Sequence, residues 1–194
     1  MYRWVANVTV HDGTSLARKG EISWWLGQGT YLTSVAIGNL DGDGAIEIVV
    51  GGYYDDSRDE AFFYIFSCSG DMLVEESHVI GYITSDTYIS SVAVGDVDAD
   101  GTTEIVTGGY YWDGSRYNAF LTTWYYTSWP YEDQQTWYIT GSTYVCSVAI
   151  GNVDSDGAVE VVACGYHFDG TRNKGMLRVY TGATLALERL QHGT

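Results

Sequence analysis

The chain has 194 residues, of which 45% are hydrophobic and 18% charged, and its formal net charge is −16 because 25 acids face 9 bases. That apolar content excludes a disordered chain, and the length is enough for one sizeable core. The shortage of Lys and Arg excludes a phosphate-binding surface, so no nucleic-acid partner is expected and the acids point to cations instead.

With 24 Gly, 17 Tyr, 7 Trp and the single Pro130, the composition favours strands and tight turns over helices. No apolar run approaches the roughly 18 residues of a membrane span. The N-terminal MYRWVANVTV lacks the apolar core of a signal peptide, so any export signal is expected to lie outside this sequence.

In chain order, WVANVTVHDGTSLARKGEISWW reads as a strand pair within residues 1–25, the outer half of a repeat unit. Three full units follow, at 26–82, 83–138 and 139–194. They are marked by SVAIGNLDGDGAIEIVVGGYY from Ser34, SVAVGDVDADGTTEIVTGGYY from Ser91 and SVAIGNVDSDGAVEVVACGYH from Ser147. The spacings are 57 and 56 residues, and Thr30-Tyr31, Thr87-Tyr88 and Thr143-Tyr144 keep the same register. Such a period signals a repeat architecture. Each unit reads as four short strands, SVAIGN, EIVVGG, FFYIFS and VEESHVI in the first copy. The continuously apolar EIVV, EIVT and EVVA runs suit strands covered on both faces. The expected fold is therefore all-β, a β-propeller-type array of about three and a half four-stranded blades in one domain. Propellers close with four to eight blades, so the chain is expected either to form a homo-oligomer, most simply a dimer, or to be a fragment of a longer propeller.

Cys68, Cys146 and Cys164 are odd in number and fall at different phases of the repeat, so they describe no disulfide framework, and we read them as small buried hydrophobes.

The acids concentrate in one loop per unit. Counted from the first polar residue, oxygens fall at positions 1, 3, 5 and 9 with Gly at 6: Asn39, Asp41, Asp43, Gly44, Glu47; Asp96, Asp98, Asp100, Gly101, Glu104; Asn152, Asp154, Asp156, Gly157, Glu160. Calcium takes six to eight oxygens at ~2.3–2.6 Å, and the carbonyls at position 7, of Ala45, Thr102 and Ala158, complete such a set. About three calcium ions per chain are expected. An EF-hand is excluded, because it needs a Glu at position 12 where this chain has Val50, Thr107 and Ala163.

These three copies resemble the FG-GAP repeats of integrin alpha-subunit propellers and of their prokaryotic relatives, including archaeal cell-surface proteins. The resemblance covers nearly the whole chain. It implies one blade per repeat, calcium held by the loop residues named above, and an extracellular or cell-surface ring serving adhesion or ligand binding. The family's Phe-Gly is here Tyr31-Leu32, Tyr88-Ile89 and Tyr144-Val145, and its Gly-Ala-Pro is Gly51-Gly52-Tyr53, Gly108-Gly109-Tyr110 and Cys164-Gly165-Tyr166.

Aromatic clusters follow the second strand of each unit: Tyr53-Tyr54, Tyr110-Tyr111-Trp112 and Tyr166-His167-Phe168. We read them as packing between blades, with stacking on sugar rings as the alternative. Asp113–Arg116, Asp169–Arg172 and the shorter Asp56-Ser57-Arg58 read as turns ending in an Arg with a fixed partner, such as a carboxylate or carbonyl. His11, His78, His167 and His192 do not recur in phase, and no nucleophile elbow or zinc-protease pair occurs, so no enzymatic activity is expected. The function expected is a non-enzymatic calcium-binding surface module for a protein or glycan ligand. A carbohydrate-binding, lectin-like propeller or accessory domain of a polysaccharide-acting enzyme, and a purely structural self-assembling repeat, are the alternatives.

Overall fold

The computed structural model describes residues 3–126 and 131–193. It is all-β: fourteen strands in four antiparallel sheets. Strands β1 (Ala6–His11) and β2 (Arg18–Trp24) form a hairpin. Sheet 1 runs β3 (Gly29–Gly38), β4 (Glu47–Asp55), β5 (Glu60–Ser69) and β6 (Met72–Gly81). Sheet 2 runs β7 (Thr87–Gly95), β8 (Glu104–Trp112), β9 (Tyr117–Trp124) and β10 (Asp133–Trp137). Sheet 3 runs β11 (Thr143–Gly151), β12 (Glu160–Phe168), β13 (Asn173–Thr181) and β14 (Leu187–His192). In each, neighbours in sequence are neighbours in the sheet, the meander of a propeller blade.

The first strands are longer than their sequence pattern suggests. In sheet 1 the ladder continues below Ser34 to pair Thr30 with Tyr54 and Tyr31 with Tyr53, past a bulge between Leu32 and Ser34. The same bulge recurs between Ile89 and Ser91 and between Val145 and Ser147. A bulge inserts one residue and strengthens the local twist, so the strand keeps pairing beyond the point where simple alternation stops.

The sheets stack through their inner strands by a repeated joint. Ile89 and Val92 of β7 seat on Gly51 of β4, where an added Cβ would lie 2.6 Å from Val92 Cγ1; Val145 and Val148 of β11 seat likewise on Gly108, at 2.5 Å from Val148 Cγ1. Only glycine permits that approach. Two hydrogen bonds lock each joint: Val92 N–H donates to Ser34 Oγ and Thr33 Oγ1 donates to Ile89 O, and Val148 N–H donates to Ser91 Oγ while Ser90 Oγ donates to Val145 O. The core follows as three clusters, one between sheets 1 and 2 around Val49, Phe63 and Ile105, one between sheets 2 and 3 around Val106, Leu121 and Val161, and one where Trp24 of the hairpin meets Phe62, Tyr64 and Phe66.

The three cysteines contradict their expected burial. Cys68, Cys146 and Cys164 are free and exposed. For the latter two the cause is position: they lie on the face of sheet 3 against which no further sheet packs. Among the described residues no helix is long and apolar enough to cross a membrane.

Candidate metal centres

Each acidic loop joins the first two strands of its sheet and turns through left-handed backbone twice. At position 6 the φ angles are +92° for Gly44, +91° for Gly101 and +101° for Gly157; at position 4 they are +77° for Gly42, +63° for Ala99 and +64° for Ser155. For Ala99 and Ser155 that conformation is strained, and such strain persists only where the surroundings impose it.

The side chains of the loop tie down its own N–H groups. Position 3 accepts from position 5: Asp41 from Asp43 at 3.0 Å, Asp98 from Asp100 at 3.1 Å, Asp154 from Asp156 at 3.3 Å. Position 5 accepts from the position-7 N–H: Asp43 from Ala45, Asp100 from Thr102 and Asp156 from Ala158, at 2.7, 2.7 and 2.8 Å. At position 1, Asn39 accepts from Gly42, Asn152 from Ser155 and Asp96 Oδ2 from Gly101.

Position 9 forms the floor. Glu47, Glu104 and Glu160 are at most 1% exposed, and each Oε2 accepts the N–H of the position-2 residue, Leu40 at 2.7 Å, Val97 at 2.9 Å and Val153 at 2.7 Å. A buried carboxylate needs such partners. Burial nevertheless raises the pKa of Glu104, against the lowering effect of the Val97 and Thr102 bonds, and the charges of Asp98 and Glu132 push it the same way as burial.

Carboxylates converge in all three loops. Ligand atoms of Asp41, Asp43 and Glu47, of Asp96, Asp98 and Glu104, and of Asp154, Asp156 and Glu160 lie within 4.8 Å of one another in each set. Asp100 stands apart from its set: its Oδ1 is taken up by the Thr102 N–H and hydroxyl, and these bonds lower its pKa. Like charges this close repel. An all-oxygen, carboxylate-rich set fits a hard cation such as calcium. The Oδ1 of Asp96 supports the fit, being buried without a hydrogen-bond partner.

A second set of acids escapes a reading confined to the loops. Glu76, Glu132 and Glu188 recur every 56 residues. Glu132 Oε1 accepts from Tyr125 Oη at 2.9 Å while its Oε2 is buried and unpartnered; burial and then Asp98 raise its pKa against the Tyr125 bond. Glu188 is raised by desolvation, then by Glu160, Asp154 and Asp156. Glu76 accepts from Tyr126 Oη at 2.6 Å, and Tyr126 feels Asp41 and Glu47. On or just before the fourth strand, each blade therefore adds a glutamate near the loop, and its signal in the sequence was the common period. Loop 3 also gains a cation, Arg189 Nη2 at 3.0 Å from Asp154 Oδ2.

At the opposite end of the inner strands, Tyr31, Tyr53, Tyr88, Tyr110, Tyr144 and Tyr166 form a continuous ladder with successive ring centroids 4.8–4.9 Å apart. Within each sheet the pair is stacked face to face, and from one sheet to the next the rings meet edge to face, as aromatic packing favours. Two arginines of the turn motifs meet rings rather than the expected carboxylate or carbonyl alone: Arg58 lies 3.7 Å over Tyr82, with Glu60 at 3.5 Å, and Arg116 lies 4.4 Å over Tyr138.

Residues 39–107, from the first acidic loop into β8, match the family model described as FG-GAP-like repeat. The segment is thus a repeat of the FG-GAP propeller type. No curated protein matches the chain.

Proposed function

We propose that this chain, a propeller-type array carrying the FG-GAP-like repeat, is a non-enzymatic calcium-binding module of the cell exterior, with one structural ion in each of its three acidic loops. The observation that carries the reading is the threefold recurrence of converging carboxylates over a buried glutamate. Asn39, Asp41, Asp43, the Ala45 carbonyl and Glu47 hold the first ion; Asp96, Asp98, Asp100, the Thr102 carbonyl and Glu104 the second; Asn152, Asp154, Asp156, the Ala158 carbonyl and Glu160 the third. The ion supplies charge compensation: three calcium ions bring +6 against the 10 acids of these loops. Sites of extracellular modules bind at about 10⁻⁴–10⁻³ M, which external calcium fills and cytosolic calcium does not. The faces left open serve adhesion or ligand binding. Calorimetric titration of calcium into chelator-stripped protein, with a melting curve at each end, tests the reading. About three ions per chain and a marked rise in Tm support it; no heat and an unchanged melt refute it.

A second copy of the chain is the partner favoured by the end of the stack at sheet 1. Val35 and Ile37 are 62% and 67% exposed there, whereas Val92 and Val148, at the phase of Val35, are 5% and 7% exposed inside the joints. Sedimentation of the chain in calcium checks this, with a monomer at all concentrations as the contrary result.

A further inference from the structure

Sheet 3 departs from its siblings at two joint positions. Where the bulge residue is Thr33 in sheet 1 and Ser90 in sheet 2, sheet 3 has Cys146, and where the seating glycines are Gly51 and Gly108 it has Cys164. The siblings show where these side chains point. Thr33 Oγ1 and Ser90 Oγ each lie 3.1 Å from the carbonyl oxygen of the seating glycine while reaching the next sheet, and a Cβ on Gly51 or Gly108 points at that same next sheet. The bulge in β11 pairs Val145 with Gly165 and Ser147 with Cys164, leaving Cys146 as the inserted residue beside Cys164. Both thiols therefore stand on one face of the β11–β12 pair, next to each other across the strands, and that face is open. The joint seen at Gly51 and Gly108 would bring a valine methyl within about 2.6 Å of the Cys164 Cβ, so this face is built for something other than a plain repeat of the joint.

We propose that Cys146 and Cys164 form a two-thiol site at which a small-molecule disulfide oxidises the chain to an intramolecular Cys146–Cys164 disulfide. One thiol, as thiolate, attacks a sulfur of the small disulfide, forming a mixed disulfide and releasing one small thiolate. The second cysteine, deprotonated, attacks the protein-side sulfur and expels the other small thiolate. Both protein protons end on the two small thiols, and the two electrons lost by the cysteines reduce the small disulfide. Burial raises the pKa of Cys146, and Cys164 raises it further, in keeping with an exchange that quickens as pH rises. The site is independent of calcium binding.

Oxidised glutathione is the probe, and the Cys68→Ser chain removes the remaining thiol, near the end of β5. Incubation is expected to remove both thiols from that chain with no glutathione retained, a peptide map joining Cys146 to Cys164, and full recovery on reduction with dithiothreitol. Cys146→Ser and Cys164→Gly install the residues that sheet 2 carries at these positions, so both variants keep the fold. Each is expected to retain no internal cross-link, and Cys146→Ser to hold glutathione on Cys164. Stable glutathione adducts on both cysteines of the Cys68→Ser chain without a cross-link, or a cross-link joining two copies, overturns the proposal.

Discussion

Replacing Glu104 by Gln separates its two roles. In the calcium-free protein the side chain caps the Val97 N–H through a fully buried carboxylate beside Asp98. Glutamine keeps an oxygen for that bond and removes a buried charge, so Tm in chelator should hold or rise slightly. With calcium the loss of a ligand charge should appear. For an ion at about 10⁻⁴ M affinity in about 1 mM calcium, mass action stabilises the native state by about 1.4 kcal/mol per site, or about 3 kcal/mol for the sites of loops 1 and 2 together. In a chain of this size 1 kcal/mol moves Tm by about 2–4 °C. The shift from those two sites is then about 6–11 °C, and the variant should lose about 3–6 °C of it. Differential scanning calorimetry in chelator and in calcium measures both numbers. A variant destabilised equally in the two buffers would refute the reasoning, because the carboxylate would then be only a backbone cap.

The joint and the turns give two further expectations. Gly108→Ala drives a Cβ to 2.5 Å from Val148 Cγ1 and should cost about 1–3 kcal/mol in urea unfolding, while Gly151→Ala, with nothing within 4 Å on the open face, should change stability by less than about 0.5 kcal/mol. Asp169 accepts the N–H groups of Arg172 and Thr171, which lower its pKa to about 2. Its folded pKa lies below the unfolded value, so its stabilisation is present above pH ~4 and is lost as pH falls toward 2; the Tm gap between wild type and Asp169→Ala should close over that window in thermal melts.

Strands, repeat and acidic loops were legible because each has a local signal. EIVV and EIVT announce strands buried on both faces, and β4 and β8 are buried from Glu47 to Gly52 and from Glu104 to Gly109. EVVA carries the same signal, yet Cys164 in β12 is exposed, because one face of sheet 3 lacks a neighbour and no local pattern encodes that. Reading Cys146 and Cys164 by hydrophobicity placed them inside; aligning them with Thr33, Ser90, Gly51 and Gly108 would have placed them on a joint face. The glutamates at 76, 132 and 188 were missed for a different reason. They lie on or just before the fourth strand, and only the stacking of the meander carries them back toward the loops.

The loops also explain how an ion at the rim can brace the whole stack. The position-2 residue, whose N–H the buried glutamate holds, points its side chain into a joint: Leu40 is 5% exposed in the core between sheets 1 and 2, and Val97 is 2% exposed in the core between sheets 2 and 3. Glutamate, amide and plug form one chain of contacts, so an ion bound as proposed would, in closing the loop, also seat the side chain between two sheets. Loop 3 has the same bond from Val153 to Glu160, but Val153 is 52% exposed because no fourth sheet receives it. Its loop is held from one side only. A less preorganised site binds more weakly, and at about 10⁻³ M affinity 1 mM calcium gives about 0.4 kcal/mol, or about 1–2 °C. Glu160→Gln should therefore cost markedly less Tm in calcium than Glu104→Gln, and its site should be the last filled in a calorimetric titration. Equal costs for the two variants would show that the ions stabilise their own loops alone and that the plugs transmit nothing to the joints.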